Sequence, residues 1–140
     1  MSDVTAERYV PRAKDPRTPA REVPVEERVR GFEAVDTGYT DDDAVLEANR
    51  CLDCKRPSCV AGCPVGVDIP GFIERIRARD WEGGLAAIRR DNLLPSVCGR
   101  VCPQETQCEG ACVLAKRGNP IAIGQLERFL GDKAAEPGVG

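Results

Sequence analysis

Eight cysteines and no histidine stand in a chain of 140 residues, and the cysteines fall into two runs. The first is CLDCKRPSCVAGCP, where Cys51, Cys54, Cys59 and Cys63 follow the spacing CxxCx4CxxxC with Pro64 directly after. The second is CGRVCPQETQCEGAC, where Cys98, Cys102, Cys108 and Cys112 follow CxxxCx5CxxxC with Pro103 after the second thiol. Thiolates gathered this densely repel one another, and a soft, highly charged inorganic centre offsets that repulsion. Iron-sulfur chemistry is therefore favoured. In bacterial ferredoxins a run ending in Cys-Pro sends its fourth cysteine to the other cluster of the pair, and Cys63-Pro64 invites the same crossing. Structural zinc is the main rival, although zinc modules usually present separated CxxC pairs. Disulfides are disfavoured because the N-terminus shows no apolar secretory segment. A catalytic CxxC at Cys51 and Cys54 lacks the βαβ surroundings of a thioredoxin.

The length fits one domain with room for a flexible end. Hydrophobic residues make up 41% and aromatics only 4%, so the core must be mostly small and aliphatic, and bound clusters are expected to supply part of its central contacts. A net charge of -3, from 20 basic against 23 acidic residues, gives no reason to expect nucleic acid or an anionic membrane surface as partner. No stretch reaches the roughly 18 apolar residues of a membrane span. A cytoplasmic protein is expected.

Four elements can position the cysteines. Thr40 with Asp43 three residues on makes a capping-box start, so a helix is expected from there to Cys51. Asp68 caps a second helix with Pro70 in its first turn and an apolar stripe at Ile69, Phe72, Ile73 and Ile76. Trp81, Leu85 and Ile88 stripe a third after Asp80, although Gly83 and Gly84 weaken it. Ile123, Leu126, Phe129 and Leu130 stripe the last. No segment alternates long enough to make a strand. The fold expected is all-α: an extended arm over 1–39 that crosses a partner surface or stays mobile, a helical dicluster domain over 40–131, and a tail or linker over 132–140.

The segments CLDCKRPSCVAGCPVGVDIPGFI, CGRVCPQETQCEGACV and PIAIGQLERF closely resemble the N-terminal iron-sulfur module of the small subunit of NADPH-dependent glutamate synthase, shared with dihydropyrimidine dehydrogenase and electron-bifurcating transhydrogenases. The likeness runs from about Val25 to Phe129. It implies a helical ferredoxin-like domain with two 4Fe-4S clusters that relays electrons between a flavin in a following domain and a second flavin in a partner. It further implies that Cys51, Cys54 and Cys59 join Cys112 on one cluster, and that Cys63 joins Cys102 and Cys108 on the other. At the eighth position the family places a side-chain oxygen, which falls here on Glu127 and leaves Cys98 as the alternative ligand. Helical periodicity lets the Glu127 carboxylate border the apolar stripe of Leu126 and Leu130, although by type alone it reads as an exposed helix glutamate.

The resemblance implies FAD and NAD(P)H only in a following domain or partner, with a glutamate-synthase-like large subunit as a candidate. No GxGxxG fingerprint occurs before Gly140, so an excised domain or a free-standing carrier is expected. Nothing offers a nucleophile, a histidine base or a phosphate loop for substrate chemistry of its own. Lys55, Arg56 and Arg100 could bring positive charge to the clusters, and Val60, Val65, Val67 and Val101 could exclude water. Gly62, Gly66, Gly99 and Gly110 are expected to let backbone approach the sulfurs. A zinc-stapled interaction module is the alternative function.

Overall fold

Residues 10–136 are described in the computed structural model. They form β1 (Arg21–Glu22), α1 (Val25–Arg28), β2 (Asp36–Gly38), α2 (Asp41–Ala48), α3 (Ser58–Gly62), α4 (Ile69–Arg77), α5 (Trp81–Arg89), α6 (Pro95–Val101) and α7 (Ile123–Lys133), with 3₁₀ turns at Gln104–Thr106 and Val113–Arg117. The expected all-α architecture holds. The exception is a two-stranded antiparallel ribbon, β1 on β2, too short to leave a period-two signal.

Local chemistry fixes where the helices begin. At α2 the Thr40 hydroxyl accepts from Asp43 N and the Asp43 carboxylate accepts from Thr40 N, a complete capping box. Asp68 accepts from Gly71 N to start α4, and Asp80 accepts from Gly83 N to start α5. The α4 stripe of Ile69, Phe72, Ile73 and Ile76 is buried, as are Leu85 and Ile88 of α5 and Leu126, Phe129 and Leu130 of α7. Full burial of each such side chain contributes about 1.5–3 kcal/mol. Trp81 meets Phe129 edge to face, with ring centroids 5.2 Å apart, which ties the start of α5 to α7.

Two buried carboxylates hold the start of α7. Glu47, fully buried on α2, accepts from Ala122 N at 2.8 Å. Glu109 accepts from Gly124 N at 3.0 Å and from the Arg17 guanidinium at 2.7 Å. These carboxylates satisfy amides that a helix start otherwise leaves without partners. Glu47 also pairs with Arg50 at 2.6 Å.

The same pair holds part of the expected N-terminal arm against the body. Glu47 accepts from Thr18 N, Arg50 donates to Asp15 O, and Arg12 N donates to Asn49 O. Tyr39 closes the loop by donating to Thr18 O at 2.6 Å. Residues 12–18 thus lie on the chain's own helices, because buried groups of the body need those backbone partners. Residues 1–9 of the expected arm and 137–140 of the expected tail lie outside the described residues.

Helices α6 and α7 approach through glycine. A Cβ on Gly99 would stand 2.6 Å from Arg128 N, and one on Gly131 would stand 2.3 Å from Ser96 N. Backbone atoms cannot move aside as a flexible side chain can. Gly99→Ala therefore loses about 1–3 kcal/mol to overpacking, which outweighs the roughly 1 kcal/mol of helix propensity that alanine would add. A lower urea midpoint for that variant is the expected result; a gain in stability would refute the contact.

Candidate metal centre

The first cysteine run begins one residue after Arg50, so the buried Glu47–Arg50 pair sets where Cys51 starts. Asp53 adopts a left-handed φ of 51°, a conformation aspartate tolerates better than most residues. Its N–H hydrogen-bonds the Cys51 sulfur. Downstream, the Ser58 hydroxyl donates to Ala111 O at 2.6 Å, which fastens α3 to the second cysteine run. Cys59 consequently lies within electrostatic reach of Cys51, Cys112 and Cys54, and Cys54 within reach of Cys112. These four cysteines line one recess, walled by Ile69, Ile73, Leu114, Ile121 and Ile123.

The remaining cysteines gather elsewhere. Cys63 closes α3 with extended backbone, φ -85° and ψ 124°, and the chain leaves the helix there. Cys102 lies within reach of Cys98, Glu127 and Cys63, and Cys108 within reach of Cys63 and Glu127. Two neighbouring positions of one run, Cys59 and Cys63, thus face different groups. Cys108 and Cys112 diverge in the same way.

Glu127 is 9% exposed on α7, although glutamate is rarely buried without a partner. Its Oε1 accepts from the Asn92 amide at 2.6 Å. Burial pushes its carboxyl up, opposed by that hydrogen bond. The Cys98 thiol meets the same Asn92 side chain, donating to Oδ1 at 3.6 Å. Asn92 did not stand out in the sequence, because an asparagine between two helices reads as turn chemistry.

The donor set fits a cationic inorganic centre. All eight cysteines are thiols outside any disulfide. Burial raises Cys51, Cys54 and Cys102 and pushes Cys59 and Cys108 up to about 12. Thiolates at these positions need compensating positive charge, and a bound metal centre supplies it. Among the described residues no three of Cys, Asp and Glu converge closely enough to hold a single ion.

Several expected neighbours behave differently. Arg100 is committed to Asp132 through two hydrogen bonds of 2.8 and 2.9 Å, and the cation that acts on Cys51 is Arg77. Val67 is buried and Val60 packs on the core, but Val65 and Val101 are exposed and exclude no water. Gly62, Gly99 and Gly110 each make room for another backbone or a Cβ: Gln107 O and Ala111 Cβ at Gly62, Arg128 at Gly99, Glu105 O at Gly110. Gly66 has open space around it and a φ of +72°, so it serves a turn.

The family described as dihydropyrimidine dehydrogenase domain II, 4Fe-4S cluster, matches residues 28–139. This chain belongs to that family. The dihydropyrimidine dehydrogenase domain II family is a 4Fe-4S one, which sets aside the zinc-stapled module. Relatives include the glutamate synthase (NADPH) small chain of Halomonas elongata, 36% identical over 79% of this chain and 24% of the relative. The glutamate synthase (NADPH) small chain of Escherichia coli is 38% identical over 71% of this chain and 21% of its own length. The NAD-dependent dihydropyrimidine dehydrogenase subunit PreT of Escherichia coli is 41% identical over 69% of this chain and 23% of its own length. The chain spans about a fifth to a quarter of the curated relatives it matches. It is a 4Fe-4S cluster-binding domain, and electron transfer is the chemistry such a domain serves. Among the described residues no helix is long and apolar enough to cross a membrane.

Proposed function

We propose that Cys51, Cys54, Cys59 and Cys112 hold one 4Fe-4S cluster, and that Cys63, Cys102, Cys108 and Glu127 hold a second. The observation that carries this reading is the crossing of the two runs: Cys112 lies with Cys54 and Cys59, and Cys63 with Cys102 and Cys108. When bound, such clusters accept and release single electrons, which links hydride-carrying flavins to one another. In this role the chain supplies ligands, insulation and a docking face. Ile69, Ile73 and Ile121 keep water from the first site. Asp53 N–H on Cys51 and nearby Arg77 favour the more negative, reduced state.

The domain serves as an electron relay between flavin centres of a cytoplasmic NAD(P)H-dependent oxidoreductase. FAD and NAD(P)H belong to a following domain or partner, with a glutamate-synthase-like large subunit as a candidate. Exposed Leu93, Leu94, Val97 and Val101 in and beside α6 support a partner face next to the second site, since contiguous exposed apolar surface marks contact sites.

Glu127→Ala tests the eighth ligand. Electron paramagnetic resonance of the reduced, anaerobically purified variant is expected to show one cluster signal altered and the other intact. An unchanged spectrum, together with loss of that signal in Cys98→Ala, would transfer the role to Cys98.

A further inference from the structure

The two contenders for the eighth ligand, Glu127 and Cys98, touch one side chain. Asn92 lies in the connection between α5 and α6, anchored by its own N–H to Ile88 O at 2.9 Å. Leu94 N donates to Asn92 Oδ1 at 2.9 Å. A backbone N–H can only donate, so this contact fixes which end of the amide is oxygen. The Nδ2 end therefore faces Glu127, where it donates to Oε1 at 2.6 Å. The Oδ1 end faces Cys98, whose sulfur is 3.6 Å away.

Resting on the ligand reading above, we propose that Asn92 is the positioning residue that selects Glu127 over Cys98 at the second cluster. An amide oxygen accepts only, so Cys98 meets it as an S–H donor, an arrangement that does not suit a thiolate ligand. The amide nitrogen donates only, so Glu127 meets it as an acceptor. That contact uses one carboxylate oxygen and orients the carboxylate, so that Oε2 would be the oxygen left to hold iron. Partners that orient a ligating carboxylate in this way typically change metal affinity by about 10- to 100-fold when replaced. Helix packing reinforces the selection, because the Gly99 contact brings α6 against Arg128, the residue after Glu127.

Asn92→Asp separates positioning from mere turn formation. Aspartate keeps the oxygen that accepts from Leu94 N, and it is as good a turn residue as asparagine. It removes the donor to Glu127 and sets a carboxylate against a carboxylate. The measurement is iron and sulfide content with electron paramagnetic resonance on the whole chain, purified anaerobically, alongside thermal melts. Expected are an unaltered first-cluster signal and, for the second cluster, a shifted signal with about 10- to 100-fold weaker retention against a chelator. A second pair of variants reads ligand choice directly. Cys98→Ser is expected to keep both clusters when Asn92 is present and to lose the second when combined with Asn92→Ala, because in Asn92→Ala alone Cys98 takes the place of Glu127. Unchanged signals in Asn92→Asp beside a normal wild type overturn the inference alone, whereas loss of the second cluster in Cys98→Ser with Asn92 intact makes Cys98 the eighth ligand and overturns the Glu127 reading together with the inference. A wild-type chain lacking both signals overturns the ligand reading and this inference with it.

Discussion

Arg50→Ala is expected to cost about 3–5 kcal/mol of folding stability, the effect of breaking one half of a buried ion pair. Arg50 is 1% exposed and Glu47 is fully buried. The guanidinium donates to Glu47 at 2.6 Å, Asp15 O at 3.0 Å, Asn119 O at 2.8 Å and Pro120 O at 3.4 Å. Its removal leaves a buried carboxylate facing only two backbone amides, and three carbonyls without this donor. Domains of this kind have about 5–15 kcal/mol in total, so the loss is a large fraction of the whole. Urea denaturation of cluster-loaded wild type and variant measures it. Arg50→Met combined with Glu47→Leu is expected to lose much less than the two single changes summed, because no charge is then stranded. A loss below about 1 kcal/mol for Arg50→Ala would place the pair with weak surface bridges.

Cys112→Ser and Cys54→Ser are expected to abolish the same cluster signal, while Cys63→Ser and Cys108→Ser abolish the other. Each variant should lose about half of its iron and sulfide, as loss of one cluster of two requires. Sequence proximity argues the opposite pairing, since Cys63 follows Cys59 at i+4 and Cys112 follows Cys108 at i+4. The geometry that favours the crossed pairing is the Ser58 bond to Ala111 O, which brings Cys59 to Cys112, and the extended backbone at Cys63, which carries that thiol away. Electron paramagnetic resonance on the four variants settles it. Shared loss between Cys63→Ser and Cys54→Ser would restore pairing by run.

The legible parts of the fold were those with local or periodic causes. The capping box at Thr40, the Asp68 cap and the stripes of α4, α5 and α7 each follow from residues within a few turns of one another. The short helix α6 carries no buried stripe, since only Pro95 of it is buried, and periodicity has nothing to detect there. The Glu47–Arg50 pair reads in sequence as an ordinary i, i+3 surface bridge. Its burial is imposed by Asp15, Thr18 and residues 119–122, which are distant along the chain. For the same reason the docked course of residues 12–18 was not legible: backbone groups make its contacts and leave no side-chain signature. At the site, cysteine spacing identified the chemistry, and the resemblance supplied Glu127. Asn92 was missed because its role depends on α6 and α7 meeting, which turns on glycines that look like simple turn residues.

The central claim is that these thiols hold paired iron-sulfur clusters. Its most direct test is iron and inorganic sulfide analysis of the chain purified without oxygen, read together with its visible spectrum before and after dithionite. The expected result is a brown protein with about eight irons and eight sulfides per chain, as two 4Fe-4S clusters require, that bleaches on reduction. A colourless protein with neither iron nor sulfide, or with zinc in their place, would contradict it.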